Sequence, residues 1–300
     1  MAVVETKNLT KTFGTFSALS GVDLSVDKGE VYGFIGPNGA GKSTTIRILL
    51  GLLKASSGDA AIFGMDAWRD AVEIHKRLAY VPGDVNLWPN LTGGEVIDLF
   101  LKLRGSEKNS KRDEMIERFQ LDPTKKCRTY SKGNRQKVAL VSAFSAQADL
   151  YILDEPTSGL DPLMEKVFQE CVMDVKEAGG SVILSSHILS EVEKLCDRVG
   201  IIREGTMIET GTLKELRHLT RTSLLVETAE KMGDLEMLKG VHGSEWKGNI
   251  VQFQADSEEI GSIMEYVSRF GVIRIESAPP TLEDLFMRHY ETQPSQPRGK

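Results

Sequence analysis

The chain has 300 residues, 40% of them hydrophobic and 27% charged, with a formal net charge of -6. That balance fits a globular chain of one large domain, or a main domain plus a small one, and argues against broad electrostatic binding to nucleic acid or anionic lipid. No apolar run reaches the roughly 18 residues of a bilayer span, the N-terminus lacks a secretion signal, and Cys127, Cys171 and Cys196 show no metal-ligand spacing, as expected of idle thiols in a reducing cytoplasm.

From the N-terminus, Val3 to Thr6 and Ser17 to Val26 alternate apolar and polar residues like half-buried strands. Between them Phe13 stands beside Gly14, readable either as a core aromatic or as a platform for a stacked base. Val31 to Ile35 is a buried strand and Thr45 to Leu50 a helix, and they flank Gly36-Pro37-Asn38-Gly39-Ala40-Gly41-Lys42-Ser43-Thr44. This is the G-x-x-x-x-G-K-[ST] phosphate loop in the strand-to-helix context it requires. Its glycines let several backbone N–H groups converge on one anion, and the helix N-terminus behind them adds a favourable dipole. Lys42 can reach the β- and γ-phosphates, and the Ser43 hydroxyl can ligate Mg²⁺. A nucleoside triphosphate is therefore the expected ligand, which leaves kinases, GTPases and ATPases open.

Gly58 to Gly64 reads as a further strand, Asp70 to Lys76 as a short helix and Leu78 to Val81 as a strand. From Asn90 to Ala148 the pattern is helical, with Thr92-Gly93-Gly94-Glu95 a capping box ahead of Val96 to Leu103. Alternation resumes with a strand at Leu150 to Leu153, a helix at Pro162 to Lys176 capped by Asp161, and a strand at Ser181 to Ser185. A helix at Ile188 to Leu195 and a hairpin around Glu204-Gly205 follow. Thr212-Leu213-Lys214-Glu215 caps a helix that closes the domain near Leu219. The expected fold is α/β, a P-loop NTPase with a mostly parallel core sheet, an antiparallel β part and a helical insert at about 90–148, spanning residues 1–220. Strands near Leu224, Asn249 and Val272, with helices at Gly233 to Leu238, Ile260 to Phe270 and Thr281 to Tyr290, predict a small α+β domain at 221–292. A polar, disordered tail at 293–300 ends the chain.

Asp154-Glu155 ends the Leu150 to Leu153 strand, on the side where open α/β sheets bind ligands. Asp154 is placed to hold Mg²⁺ through its water shell, and Glu155 to polarise a water for attack on the γ-phosphate. Taken alone, Tyr130-Ser131-Lys132-Gly133-Asn134 is an N-cap serine followed by a turn glycine.

In this order the stretches resemble the ATP-binding subunits of ABC transporters, from Val3 to about Leu219. The phosphate loop, Asp154 and Glu155 match. Ser131-Lys132-Gly133-Asn134 sits where that family has its Leu-Ser-Gly-Gly-Gln signature, and Ser158-Gly159-Leu160-Asp161 where it has its D-loop. His187 falls at its switch histidine and Phe13 at the aromatic that stacks on adenine. The resemblance implies ATP and Mg²⁺, and a head-to-tail dimer with a second copy or a homologous ATPase subunit. Ser131 and the Gly133 N–H would bind the γ-phosphate from across that dimer, with His187 on the same phosphate and Asp161 linking the two sites. It further implies a separate transmembrane permease, docked near the Gly83 loop and the helical insert at the cytoplasmic face of the membrane, and no nucleic acid.

Two positions depart from the family pattern. Gly83 stands where a glutamine usually contacts Mg²⁺, which makes Asp84 the candidate to supply the missing oxygen. Lys132 replaces the first signature glycine, placing a cation either beside the triphosphate or in solvent. The ending Pro280-Thr281-Leu282-Glu283-Asp284-Leu285-Phe286 is similar to that of the small C-terminal extension of exporter subunits. A soluble ABC-type ATPase acting on ribosomes or DNA is a rival, though neither a second cassette nor a coiled coil is visible. A phosphotransferase is another, and it leaves Ser131 to Asn134 and His187 unexplained.

Overall fold

The chain opens with two long strands, β1 (Ala2–Phe13) and β2 (Phe16–Asp27), then β3 (Val31–Ile35), α1 (Lys42–Leu49), β4 (Ser57–Ile62), β5 (Met65–Asp66), α2 (Ala71–His75) and β6 (Leu78–Val81). Three helices follow, α3 (Gly93–Leu103), α4 (Ser110–Arg118) and α5 (Lys132–Phe144). Then come β7 (Leu150–Asp154), α6 (Pro162–Glu177), β8 (Ser181–Ser186), α7 (Leu189–Leu195), β9 (Arg198–Arg203) and β10 (Thr206–Thr212). This computed structural model describes residues 2–105, 110–218, 221–256 and 258–278. It divides between Thr210 and Gly211 into two compact units.

In the first unit a six-stranded sheet runs in the order β10-β9-β3-β8-β7-β6. Its strands β9, β3, β8, β7 and β6 are parallel neighbours. Every residue of β3, β7 and β8 is buried, because a parallel strand is covered on both faces and so reads as an unbroken apolar run. A second, antiparallel sheet has the order β2-β1-β4-β5. Here β1 is longer than its apolar start suggests: the polar stretch Lys7 to Thr12 continues the strand by pairing with both β2 and β4, with register shifts along the way. Between the sheets, Tyr32, Phe34, Ile46, Leu49 and Ile62 are among the fully buried residues, each worth about 1.5–3 kcal/mol of burial.

The insert is helical as expected, and stacked rings tie it to the sheet. Phe144 of α5 packs on Phe119 (6.3 Å between centroids), on Tyr151 of β7 (5.8 Å) and on Phe168 of α6 (6.2 Å). The capping box at the start of α3 forms: the Glu95 N–H donates to Thr92 Oγ1 at 3.2 Å, and the Thr92 N–H donates to Glu95 Oε2 at 2.7 Å.

The second unit contains α8 (Leu213–His218), β11 (Thr222–Thr228), β12 (Val241–Lys247), β13 (Ile250–Ala255), α9 (Ile260–Ser268) and β14 (Val272–Ala278). The strands form an antiparallel sheet in the order β12-β13-β11-β14. Val226, Val251, Phe253, Ile263 and Val267 are buried together beneath it. Three features differ from the sequence reading. Strand β12 carries no apolar alternation because most of it is exposed. The stretch from Gly233 to Leu238 holds only a single 3₁₀ turn at Leu235–Met237, with Asp234 left-handed at φ 56°. The division falls at Thr210 rather than 220, so α8 counts with the second unit, and its capping box between Thr212 and Glu215 is formed. The helix expected at Thr281 to Tyr290 and the tail at 293–300 lie outside the described residues.

Replacing Thr92 by Ala removes the first-turn acceptor of α3 and is expected to lower stability by about 1 kcal/mol, read as a shift of the urea midpoint with an unchanged slope.

Candidate functional site

Three adjacent strands, β3, β8 and β7, end on the same edge of the sheet, and each continues into a loop carrying polar residues. After β3 the chain must pass very close to β9: a Cβ on Gly36 would lie 2.3 Å from the Ile202 carbonyl oxygen. Gly41 then takes φ 114°, and α1 starts at Lys42, three residues earlier than its apolar pattern suggests. Lys42 is buried, and its Nζ donates to the carbonyls of Gly36 (2.6 Å) and Pro37 (3.2 Å). Burial pushes its pKa down, opposed by the charges of Glu155 and Asp154.

Asp154, at the end of β7, is buried and held from two sides. Ser185 Oγ on β8 donates to its Oδ1 at 2.5 Å, and Ser43 Oγ of the phosphate loop donates to its Oδ2 at 3.4 Å. Glu155 sits in the left-handed region at φ 47°, with its N–H donated to the Ser185 carbonyl at 2.9 Å. That backbone, uncommon for a residue with a side chain, turns the chain sharply at the end of the strand. His187 Nδ1, from the loop after β8, lies 3.4 Å from Glu155 Oε1.

Phe13, Phe16, Pro37, Asn38, Gly39, Gly41, Lys42, Ser43, Thr44 and Glu155 line a common pocket of about 270 Å³. Phe13 is half exposed at the tip of the β1–β2 hairpin, so the core reading of this ring is set aside. Lys11 Nζ stands 4.9 Å from its centroid. Phe16, its register partner, was not singled out in the sequence, although a second aromatic three residues beyond the first was a usable signal. Ser185 was also missed, and its signal was a hydroxyl at the end of an apolar strand.

The remaining residues gather elsewhere. Ser131 caps α5, accepting from the Asn134 N–H at 3.3 Å. Lys132 is exposed, and its Nζ donates to Ser158 Oγ in the D-loop at 2.7 Å. Gly133 packs so closely that a Cβ would lie 2.3 Å from the Gly159 carbonyl oxygen. Asp161 caps α6 through the Met164 N–H at 3.0 Å. Neither Ser131 nor Gly133 lines the phosphate-loop pocket. Asp84 lies in the turn after β6. Residue 83 is the one whose side-chain direction meets Asp154, a Cβ there lying 3.3 Å from the Asp154 carbonyl oxygen, whereas Asp84 itself is exposed.

The family profile described as ABC transporter matches residues 19–158, and the profile described as ATP-binding protein DrrA1-3-like, C-terminal domain matches residues 211–290. The chain is 33% identical over 290 residues to the uncharacterized ABC transporter ATP-binding protein YhaQ of Bacillus subtilis, covering 93% of this chain and 96% of the relative. This chain belongs to the ABC transporter ATP-binding proteins. It is 32% identical over 295 residues to the bacitracin transport ATP-binding protein BcrA of Bacillus licheniformis, covering 95% of this chain and 96% of the relative. The solved structure of an ATP-binding subunit of an ABC transporter superposes with a TM-score of 0.68 at 33% identity, over 72% of this chain and 92% of that one. The first unit is accordingly an ABC ATPase cassette that binds and hydrolyses ATP.

Replacing Asp84 by Ala is expected to leave the divalent-ion requirement of ATP hydrolysis unchanged. Asp154→Asn, which removes the charge held by Ser43 and Ser185, should lower turnover about 100-fold or more, both measured by phosphate release across a Mg²⁺ titration.

Proposed function

We propose that two such subunits, identical or homologous, close head to tail around two ATP molecules and that hydrolysis drives a separate membrane permease in export. One observation carries this reading: the phosphate loop and Glu155 line one pocket, with Asp154 bonded to Ser43 and His187 3.4 Å from Glu155, while Ser131 and Gly133 of the same chain neither line it nor bond to a residue that does. A signature that cannot serve its own ATP is explained if it serves that of a second subunit.

On this reading each side chain has a task. Phe13 offers a ring to adenine, and Lys42 and the loop N–H groups take the phosphates. Glu155 orients the attacking water and accepts its proton. His187, beside Glu155, holds the γ-phosphate as charge builds on it. From the other subunit, Ser131 and the Gly133 N–H at the start of α5 complete the phosphate's shell, and Asp161 connects the two sites. The Ser43 hydroxyl and the Asp154 carboxylate, 3.4 Å apart, are a hard-oxygen pair suited to Mg²⁺, which binds through few protein oxygens and keeps waters and phosphate oxygens. When bound there, the ion would neutralise charge on the phosphates.

On this reading the permease docks in an apolar groove of about 600 Å³ beside the Gly83 loop, between Leu52, Val72, Tyr80, Val85, Phe100 and Leu103. Val72, Phe100 and Leu103 are exposed, as is Trp88 nearby, a density of surface apolar groups that marks an interaction site. Among the described residues no helix is long and apolar enough to cross a membrane, so this reading gives the crossing to the partner and keeps this subunit at the cytoplasmic face. The transport named for the BcrA relative supports a transport role.

Glu155→Gln is expected to bind ATP, lose turnover by about 100-fold or more, and elute as a closed dimer. A variant that stays monomeric with ATP and the permease present contradicts the two-site reading. Leu103→Glu should abolish co-purification with the permease while the affinity for ATP stays within about 2-fold, because the groove is distinct from the phosphate-loop pocket.

A further inference from the structure

The loops that carry Glu155 and His187 are tied together by a third residue. Glu191 of α7 is only 5% exposed, and its Oε2 accepts hydrogen bonds from Ser186 Oγ at 2.8 Å and Thr157 Oγ1 at 3.5 Å. Its Oε1 is buried and has no hydrogen-bond partner. Both donors are themselves buried. Ser186 directly precedes His187, and its Oγ also accepts from the Ile188 N–H at 3.0 Å, so one hydroxyl fixes the backbone on both sides of the histidine. Thr157 follows Glu155 by two residues. The ladder between β7 and β8 has its last pair at Asp154 and Ser185, after which Glu155 donates one backbone hydrogen bond to Ser185. Past that point one carboxyl oxygen bonds to both segments, beside the 3.4 Å contact of His187 with Glu155.

We propose that Glu191 is a positioning residue for ATP hydrolysis, setting the separation of Glu155 and His187 by holding Thr157 and Ser186 to one oxygen. The proposal rests on the reading of Glu155 and His187 as the pair that carries hydrolysis.

Stability alone does not explain an acid here. Burial pushes the Glu191 carboxyl up from its ordinary pKa, and Glu165 on α6 adds to this, while the two hydroxyls and His187 oppose it. An oxygen left without a partner in the interior is a cost that a leucine of similar size avoids. Leucine would in turn leave the buried Ser186 and Thr157 hydroxyls without this acceptor, so the two costs oppose each other. The acid is explained by what its oxygen holds: Ser186, the last residue of β8 and next to His187, and Thr157, two residues past Glu155. Glu191 lies outside the pocket lined by Phe13 and the phosphate loop, so its effect should fall on the chemical step and leave nucleotide binding unchanged.

The test is steady-state hydrolysis of Mg·ATP by the full chain, with thermal melting alongside. Glu191→Leu is expected to lower kcat about 10-fold to 30-fold, with KM within about 2-fold and the melting temperature lowered, because the Ser186 and Thr157 hydroxyls lose their acceptor. Glu191→Gln keeps a carbonyl acceptor and should recover most of that loss. Thr157→Val combined with Ser186→Ala should reproduce the loss with Glu191 intact, and adding Glu191→Leu to that pair should cost nothing further. The proposal is overturned if Glu191→Leu keeps its kcat, if Gln and Leu are equally impaired, or if the loss appears in KM. Should Glu191→Leu fail to fold, the hydroxyl pair decides, and an unimpaired pair overturns the proposal. Undiminished turnover in Glu155→Gln and His187→Ala would instead refute the underlying reading.

Discussion

The site depends on one buried carboxylate at the end of a central strand. Asp154 receives a hydroxyl from Ser43 on one side and from Ser185 on the other, so the phosphate loop, β7 and β8 meet at a single charged group. An ionised carboxylate in a sheet interior is costly unless its oxygens are bonded, and here both are. The parallel register brings this about. Phe34 pairs with Ser185, and Ser185 pairs with Asp154, so three strands deliver their polar ends to the same level. A slip in one strand would pull the loops it feeds out of reach of the carboxylate.

The site was legible wherever its chemistry is local in sequence. The phosphate loop is a contiguous run whose backbone conformation follows from its own glycines, and Asp154 with Glu155 is placed by a strand apolar enough to read as buried. Asp161 could be recognised as a cap from its own side chain and the proline after it. The contacts that join distant segments were not legible. Lys132 had two open placements, and its hydrogen bond to Ser158 depends on how α5 packs against a loop 26 residues away. The close packing of residue 83 on the Asp154 main chain was likewise not legible, since it depends on how the turn after β6 meets β7.

The fold was readable to a similar degree and for related reasons. Strands β3, β6, β7 and β8 were found nearly residue for residue, since full burial leaves an apolar run. Strand β12 is held by backbone pairing to β13 with most of its side chains in water, so side-chain pattern carries no trace of it. The polar half of β1 was lost for the same reason. The helix expected before Leu238 was a misread of a few apolar residues that serve the small unit's core: Leu235 is buried with β11 and β13, reached by a left-handed residue and a single tight turn.

The contact between Gly133 and the Gly159 carbonyl has a consequence for communication between sites. With no space for even a methyl group, the start of α5 and the D-loop form one closely packed piece, joined also by the Lys132 hydrogen bond to Ser158. In the proposed pair of subunits that piece touches one triphosphate through Ser131 and leads through Asp161 toward the other. Packing that links two pockets lets the filling of one bias the other, which would favour a cooperative dependence of turnover on ATP concentration over independent action by each half.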